Sequence, residues 1–369
     1  MSDYFSEELV VEILKRLPVK SLLKFTSVCK SWYSLITNPN FISLHLAHTT
    51  HANKSYISSY YPSESYAYYR KQEFVLHSDI DSFSEFEKLE LSSFYMCNSY
   101  FEIVGSCNGL VCLSDEINNR LILWNPAIRE FITISLKGYC DQFAIIGFGF
   151  DSKNNAYKIV KISNDLGDGQ PLVEIFELSS NAWKTILVKN LDYSICNSGS
   201  CTYLNGAAHW FALKYNVWEI TIALFDLSNE AFEELRLPEA LADLMDTKLV
   251  TLTVCRQSLA LIYYEDWPGY YCVKCSIWVM KKYGVPLSWT KLFNLDVENY
   301  GNFFKVLNFQ RNGEILIQER YGEVASFDPE TERVTTLGVH GYNFVVHSNY
   351  AESLILLDGK RNRKNLVEG

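Results

Sequence analysis

Residues 105–131 read GSCNGLVCLSDEINNRLILWNPAIREF, and the alternation of turns and apolar runs along this stretch decides the fold. Asn108-Gly109 stands directly before the run LVCL. Both residues accept positive φ, which makes the pair the strongest short-range hairpin signal. A second run, LILW, ends at Trp124, and Phe131 follows seven positions on, across a turn. The unit is strand, turn, strand, turn.

That unit recurs. Phe176 to Trp183 in FELSSNAW, Phe225 to Phe232 in FDLSNEAF and Phe327 to Val334 in FDPETERV repeat the seven-residue step, and Trp278 to Trp289 in WVMKKYGVPLSW is the same step with four extra residues. The leading aromatics lie 52, 49, 53 and 49 residues apart. Upstream of each later one stands a turn that opens a strand: Asn154-Asn155, Asn205-Gly206, Ser258 and Asn312-Gly313. Strand and turn units at a period of about 50 residues are the signature of propeller blades. A weaker unit around Leu76 to Phe83 precedes the five, and the runs FVVHS and SLILL, between Phe344 and Leu357, are placed to close the ring against it. The expectation is a mainly β chain, a propeller of six blades with seven as the alternative.

The first 46 residues differ in kind. Ser6 can cap a helix whose first turn holds Glu7 and Glu8, acids where the helix dipole favours them. Leu9, Val10, Ile13, Leu14 and Leu17 fall on one helical stripe, and Pro18 stops it. A second helix is expected over residues 19–25 and a third over 27–36. Asn38-Pro39-Asn40 then reads as a break before one last helical turn begun by Phe41, Leu44 and His45. A chain below about 40 residues seldom hides a core of its own. Some of this apolar surface must therefore lie against the rest of the chain or against another protein.

LVVEILKRLPVKSLLKF followed by VCKSWYSLI resembles a plant F-box, in register over nearly its full length. GSCNGLVCL, LWNPAIREF, YLNGAAHWFA, FDLSNEAFEEL, NGEIL and ESLILLD are similar to the F-box-associated interaction domain of plant F-box proteins, S-locus F-box proteins and their relatives included, across residues 100–357. The kelch double glycine is absent. The resemblance implies a three-helix module, residues 1–46, that binds a Skp-type adaptor and through it a cullin scaffold with ubiquitin-conjugating machinery. Residues 47–72 then form a linker and first strand, 73–357 the target-binding propeller, and 358–369 a basic tail. By the same resemblance Phe5, Leu9, Ile13, Leu14, Leu17, Pro18, Leu22, Leu23 and Trp32 are the adaptor-binding positions. The family usually begins with Leu-Pro where this chain has Phe5-Ser6, and losing the fixed proline backbone would lower adaptor affinity. Burying four or five such side chains yields roughly 1.5–3 kcal/mol each, a gross sum that survives association costs of several kcal/mol.

On this reading the protein is a non-catalytic substrate-receptor subunit of an SCF-type ubiquitin ligase. The likeness to S-locus proteins implies a narrower target, a basic stylar ribonuclease in self-incompatibility. Two rival readings stand beside it: a propeller hydrolase or lyase, and an adaptor-binding scaffold that delivers no target.

Charge and composition bear on these readings. The chain of 369 residues carries −10; residues 1–45 contribute +1 and the tail from Asp358 +2, leaving −13 for 46–357. An acidic large domain repels nucleic acid and attracts a basic protein at long range, unless the charge serves only solubility. Neither a membrane span nor a secretory signal is expected. Ten cysteines without small-domain spacing suit a reducing compartment, and a cytoplasmic location follows, with the nucleus as a second if Lys360-Arg361-Asn362-Arg363-Lys364 is more than a solvated end.

No catalytic residue, metal or cofactor is expected. Gly105 to Gly109 is a hairpin turn and not a phosphate cradle. Cys272 and Cys275 form a CxxC without a second pair. His45, His48 and His51 read as a solvated cluster, and His209 as a satisfied core histidine. Target contacts are expected in the loops 165–171 and 265–271, with Asp165, Asp168, Glu265 and Asp266 as candidates.

Overall fold

The computed structural model describes residues 6–52, 55–62, 72–78, 83, 85–89, 101–115, 117–136, 144–163, 171–188, 191–196, 201–214, 217–244, 246–265, 274–296, 303–319 and 321–356. Phe5, Asp165, Asp168, Asp266, Cys272 and the basic tail lie outside the described residues.

Four helices come first: α1 (Glu7–Leu14), α2 (Val19–Phe25), α3 (Lys30–Ile36) and α4 (Pro39–Ala52). The three-helix expectation is corrected by α4. Asn38-Pro39-Asn40 is the expected break after α3 and also the start of α4, which runs well past the one turn expected there: the Asn38 side chain accepts from the Asn40 N–H at 2.8 Å, and Pro39 occupies the first helical position, where its missing N–H costs nothing. Phe41, Ile42 and His45 are the buried side of α4. The stretch 47–72, read as linker and first strand, thus contains the end of α4 and the whole of the first strand, β1 (Ser55–Tyr61).

Six antiparallel sheets follow, each a blade of a six-bladed propeller. The first complete blade is β4 (Glu102–Cys107), β5 (Leu110–Asp115), β6 (Arg120–Asn125) and β7 (Glu130–Ser135); the second is β8 (Ile145–Asp151), β9 (Ala156–Ser163), β10 (Leu172–Glu177) and β11 (Ala182–Ile186). In the third, the inner strand is in two pieces, β12 (Tyr193–Ile195) and β13 (Thr202–Leu204), both paired to β14 (Ala207–Lys214), then β15 (Ile220–Asp226) and β16 (Ala231–Leu235). The fourth is β17 (Val250–Cys255), β18 (Ser258–Tyr264), β19 (Lys274–Met280) and β20 (Trp289–Asp296), and the fifth β21 (Phe303–Phe309), β22 (Ile315–Glu319), β23 (Glu323–Asp328) and β24 (Arg333–His340). Three strands from the N-terminal side, β1, β2 (Glu73–Ser78) and β3 (Glu85–Leu89), take β25 (Tyr342–Tyr350) as their inner strand, which closes the ring.

Asn108 and Gly109 have φ of 53° and 80°, Asn205 and Gly206 52° and 80°, so both hairpins turn through two left-handed residues, as Asn-Gly requires. Arg256 and Gln257 make the same kind of turn without glycine, with φ of 56° and 116°. The seven-residue step is a cross-strand pair: Trp124 faces Phe131, Phe176 faces Trp183, Phe225 faces Phe232 and Phe327 faces Val334. Trp278 and Trp289 do not pair. The connection closes on the pair Met280 and Trp289, so Trp278, two residues back along β19, faces Lys291, whose Nζ lies 5.0 Å from the indole centroid.

FVVHS lies in β25 and pairs with β1, but the described part of SLILL, residues 353–356, is not a strand. Residues 351–356 instead cross one face of the ring. Asn125 Nδ2 donates to Ser353 O at 3.0 Å and Ile355 O at 2.8 Å, holding the segment by its backbone. Leu354, fully buried, joins Leu14, Val19, Leu22, Ile36, Phe41 and Ile42 of the helices and Ile128 of the β6–β7 turn in one cluster. The helical module is thereby welded to the propeller, and Thr49 Oγ1 adds a bond to Glu352 O at 3.3 Å.

Candidate functional site

The weld defines two faces. The hairpins β4–β5 and the turns β6–β7 lie on the face that carries the helices, because Ile128 and the 351–356 segment touch them there. Alternating strand direction then puts the β5–β6, β9–β10, β14–β15, β18–β19 and β22–β23 connections on the opposite, far face.

On the helical module, Ser6 Oγ accepts from the Leu9 N–H at 3.3 Å and fixes the start of α1. Leu9 and Ile13, one turn apart, point outward at 44% and 49% exposure, whereas Leu14 is buried at 1%. Pro18 is exposed between α1 and α2, and Leu17, Leu23 and Trp32 are half-buried, Trp32 set edge-on against Phe25 with ring centres 5.2 Å apart. Leu22 is fully buried with Leu14. These two leucines therefore present no surface and act on any partner only through the module's shape. The structure adds Val28, Tyr33 and Leu44 to the exposed apolar set. Tyr33 sits beside Trp32 on α3, and spacing alone did not separate the outward from the inward member of that pair.

His45 is not solvated. It is fully buried with Nε2 2.9 Å from Leu17 O, tying α4 to the α1–α2 corner, and burial lowers its pKa. Among the described residues no three of His, Cys, Asp or Glu gather as a metal site.

Among the described residues, most of the propeller's exposed large apolar side chains lie at the far face. Ile117, Val217, Trp218 and Tyr321 stand in the β5–β6, β14–β15 and β22–β23 turns at 69%, 62%, 68% and 64% exposure, and Leu172 and Leu187 sit at the same end of the second blade. Leu287 is on the near face and Leu292 on an outer strand. Glu265, the described member of the acidic candidates, is exposed at the end of β18 on the far side. Glu319 and Glu323 flank Tyr321, and burial, then the neighbouring Glu323, raises the Glu319 pKa. These exposed groups stand in separate blades around the same end of the ring. The signal missed in the sequence was that Val217-Trp218 and Tyr321 are turn residues, where apolar side chains have no core to reach.

Between the faces runs the central channel, a cavity of about 570 Å³. His209 beside it is fully buried, with Nδ1 2.9 Å from Thr202 O and Nε2 2.8 Å from the Tyr283 hydroxyl, and burial pushes it down to about 4. Burial likewise pushes the thiols of Cys107 and Cys201 up to about 12. At neutral pH these positions offer neither a thiolate nor an imidazolium, the species nucleophilic and acid catalysis would draw on.

The profile described as "F-box domain" matches residues 5–44, and that described as "F-box associated beta propeller domain" matches residues 62–355. Similar curated proteins come from Arabidopsis thaliana: an F-box protein 28% identical over 93% of this chain and 90% of its own length, a putative F-box protein 28% identical over 98% and 87%, and an F-box/kelch-repeat protein 29% identical over 85% of each. Among solved structures, one from a nidogen/laminin complex aligns with 79% of this chain and 98% of its own at 11% identity and a TM-score of 0.44. The SapL1 lectin with alpha methyl fucoside aligns at 0.41, over 78% and 96%, also with 11% identity.

Proposed function

The chain belongs to the F-box proteins that carry an F-box associated β-propeller domain, and from that premise we propose that it is the substrate-receptor subunit of an SCF-type cullin ubiquitin ligase. The module's exposed side binds a Skp-type adaptor, and the far face of the propeller binds a target protein. Rate enhancement then comes from holding target lysines near a charged ubiquitin carrier, a gain of proximity and not of covalent chemistry on this chain. The observation that carries the reading is the placement of exposed apolar groups at two ends of one packed body: Leu9 and Ile13 on the module, and Ile117, Trp218 and Tyr321 on the far face.

A narrower reading follows from the charge. The −13 of residues 46–357 favours a basic target, and a basic stylar ribonuclease recognised in self-incompatibility fits that preference. Action in the cytoplasm, with access to the nucleus, goes with it.

Adaptor binding is tested by pull-down with a Skp-type adaptor. Ile13→Asp, at an exposed position, should leave the thermal melt unchanged and abolish recovery of the adaptor. Unaltered recovery with Leu9→Asp and Ile13→Asp combined would sink the proposal. Confinement of expression to pollen supports the ribonuclease reading, and abundant expression in leaf and root counts against it.

A further inference from the structure

The central channel holds a cation that no described carboxylate pairs with. At about 570 Å³ its cavity has the size of a small-molecule site, and its walls combine apolar side chains, Ile262, Val306 and Phe344 among them, with a few directed polar groups. Lys305 on β21 lines it, and its Nζ donates to Phe344 O on the neighbouring β25 at 2.7 Å. An ammonium has three donors, so two remain for a ligand. No carboxylate of a described residue pairs with it, and burial alone brings its pKa down, to about 8. Lys305 is half-buried, so its amine is mostly protonated at neutral pH with part of its hydration lost, a state that an anion relieves.

His347, three residues further along β25, supplies a second directed group on the channel wall. Its ring bonds the Ile103 carbonyl, and burial holds it neutral, at about 4. Its Nε2 is buried without a partner. A carbonyl accepts, so the ring proton sits on Nδ1 and Nε2 offers a lone pair. Three strand residues span roughly 10 Å, the length of a ring bearing a short acid arm. Glu102 also lines the channel, on β4 beyond β25, and its charge disfavours a dianion.

We propose that the central channel is a binding site for a small organic monocarboxylic acid that also carries a hydroxyl or N–H donor, the carboxylate held by Lys305 and the donor by His347. This site is separate from both protein-binding faces and stands whether or not the chain serves a ligase.

The probe is 4-hydroxyphenylacetate, titrated into the full chain by calorimetry, with its methyl ester as the neutral control. Binding is expected to saturate, and both the ester and the Lys305→Met variant are expected to bind about tenfold or more weakly, the loss of one charge-assisted hydrogen bond. A measurement on the unmodified protein needs no variant: acetylation of Lys305 by an amine-acylating reagent, followed by mass spectrometry, should be slowed by the acid and not by the ester. Equal affinity for acid and ester, full binding by folded Lys305→Met, or no protection of Lys305 at saturation overturns the proposal. Absence of saturable binding up to about 10 mM acid, weaker than any specific site of this kind, overturns it as well.

Discussion

Replacing Leu354 by alanine should release the helical module while leaving the ring intact. Leu354 is fully buried, and its neighbours are Leu14, Leu22, Ile36, Phe41 and Ile42 from the helices and Ile128 from the propeller. Truncating a leucine in such a site costs about 2–5 kcal/mol, the spread depending on how far the site collapses. The module has no larger core to fall back on, so the loss raises the population of a form in which the helices open as a unit. At about 1.4 kcal/mol per factor of ten, amides of α1 to α3 should exchange with solvent roughly 30-fold to a few thousand-fold faster. Hydrogen exchange read by mass spectrometry on peptides from residues 7–25, against peptides from β18 and β19 as the internal reference, measures this. Unchanged exchange in α1 and α2, or equal acceleration in both regions, would refute the claim that this cluster carries the module.

Three further outcomes follow from the same structure. Lys158→Ala removes a buried ammonium that bonds Asp151 at 2.7 Å, Glu230 at 2.8 Å and Leu227 O at 2.8 Å across two blades; an orphaned buried carboxylate costs about 3–5 kcal/mol, so Tm should fall by about 5–10 °C, and a fall under about 2 °C would contradict it. Asp151 is fully buried, and hydrogen bonds from Lys158, Ser228 and Asn154 outweigh its burial and hold its pKa well below the usual carboxylate range. A depressed folded pKa means stability present above the unfolded value and lost as pH falls towards the folded one; melts should show a drop below about pH 4 that is blunted in Asp151→Asn. Gly109→Ala places a Cβ 2.5 Å from Ala351 O at a φ of +80°, so it should lower Tm and speed exchange in 351–356, whereas Gly206→Ala, at the same φ with open space around it, should cost less.

How much of this was legible depended on whether a residue's role was local. Asn108-Gly109 and Asn205-Gly206 specify their own turns by backbone chemistry, so they were readable without any neighbour. The seven-residue step worked because a four-residue turn fixes which side chains face one another, and it failed at Trp278, where the longer connection, residues 281–288, closes on Met280 and Trp289 and leaves Trp278 facing Lys291. SLILL has the composition of a strand, but its hydrogen bonds go to the Asn125 side chain and its leucine to the helices. Nothing in those five letters announces a partner more than two hundred residues away. The same limit applied on α1: the stripe Leu9, Ile13 and Leu14 was visible, yet which of the three faces inward depends on Ile128 and Leu354, residues of another part of the fold.

The weld has a functional consequence on the proposed reading. If the module hung on a linker, the spacing between adaptor and target would fluctuate, and target lysines would be presented over a wide volume. Here Leu354 and Asn125 hold the module to the near face and the apolar turns stand on the far one, so on that reading adaptor and target would be held at opposite faces of one packed body. Effective concentration falls steeply once a spacer cannot span its two sites, and it is highest when the span is matched. A rigid receptor therefore restricts transfer to lysines within a narrow range of heights above the far face, whereas a loosened one gains reach and loses selectivity. Leu354→Ala, which frees the module without touching Ile117, Trp218 or Tyr321, should accordingly spread ubiquitin over more lysines of a bound target while leaving capture of that target unchanged.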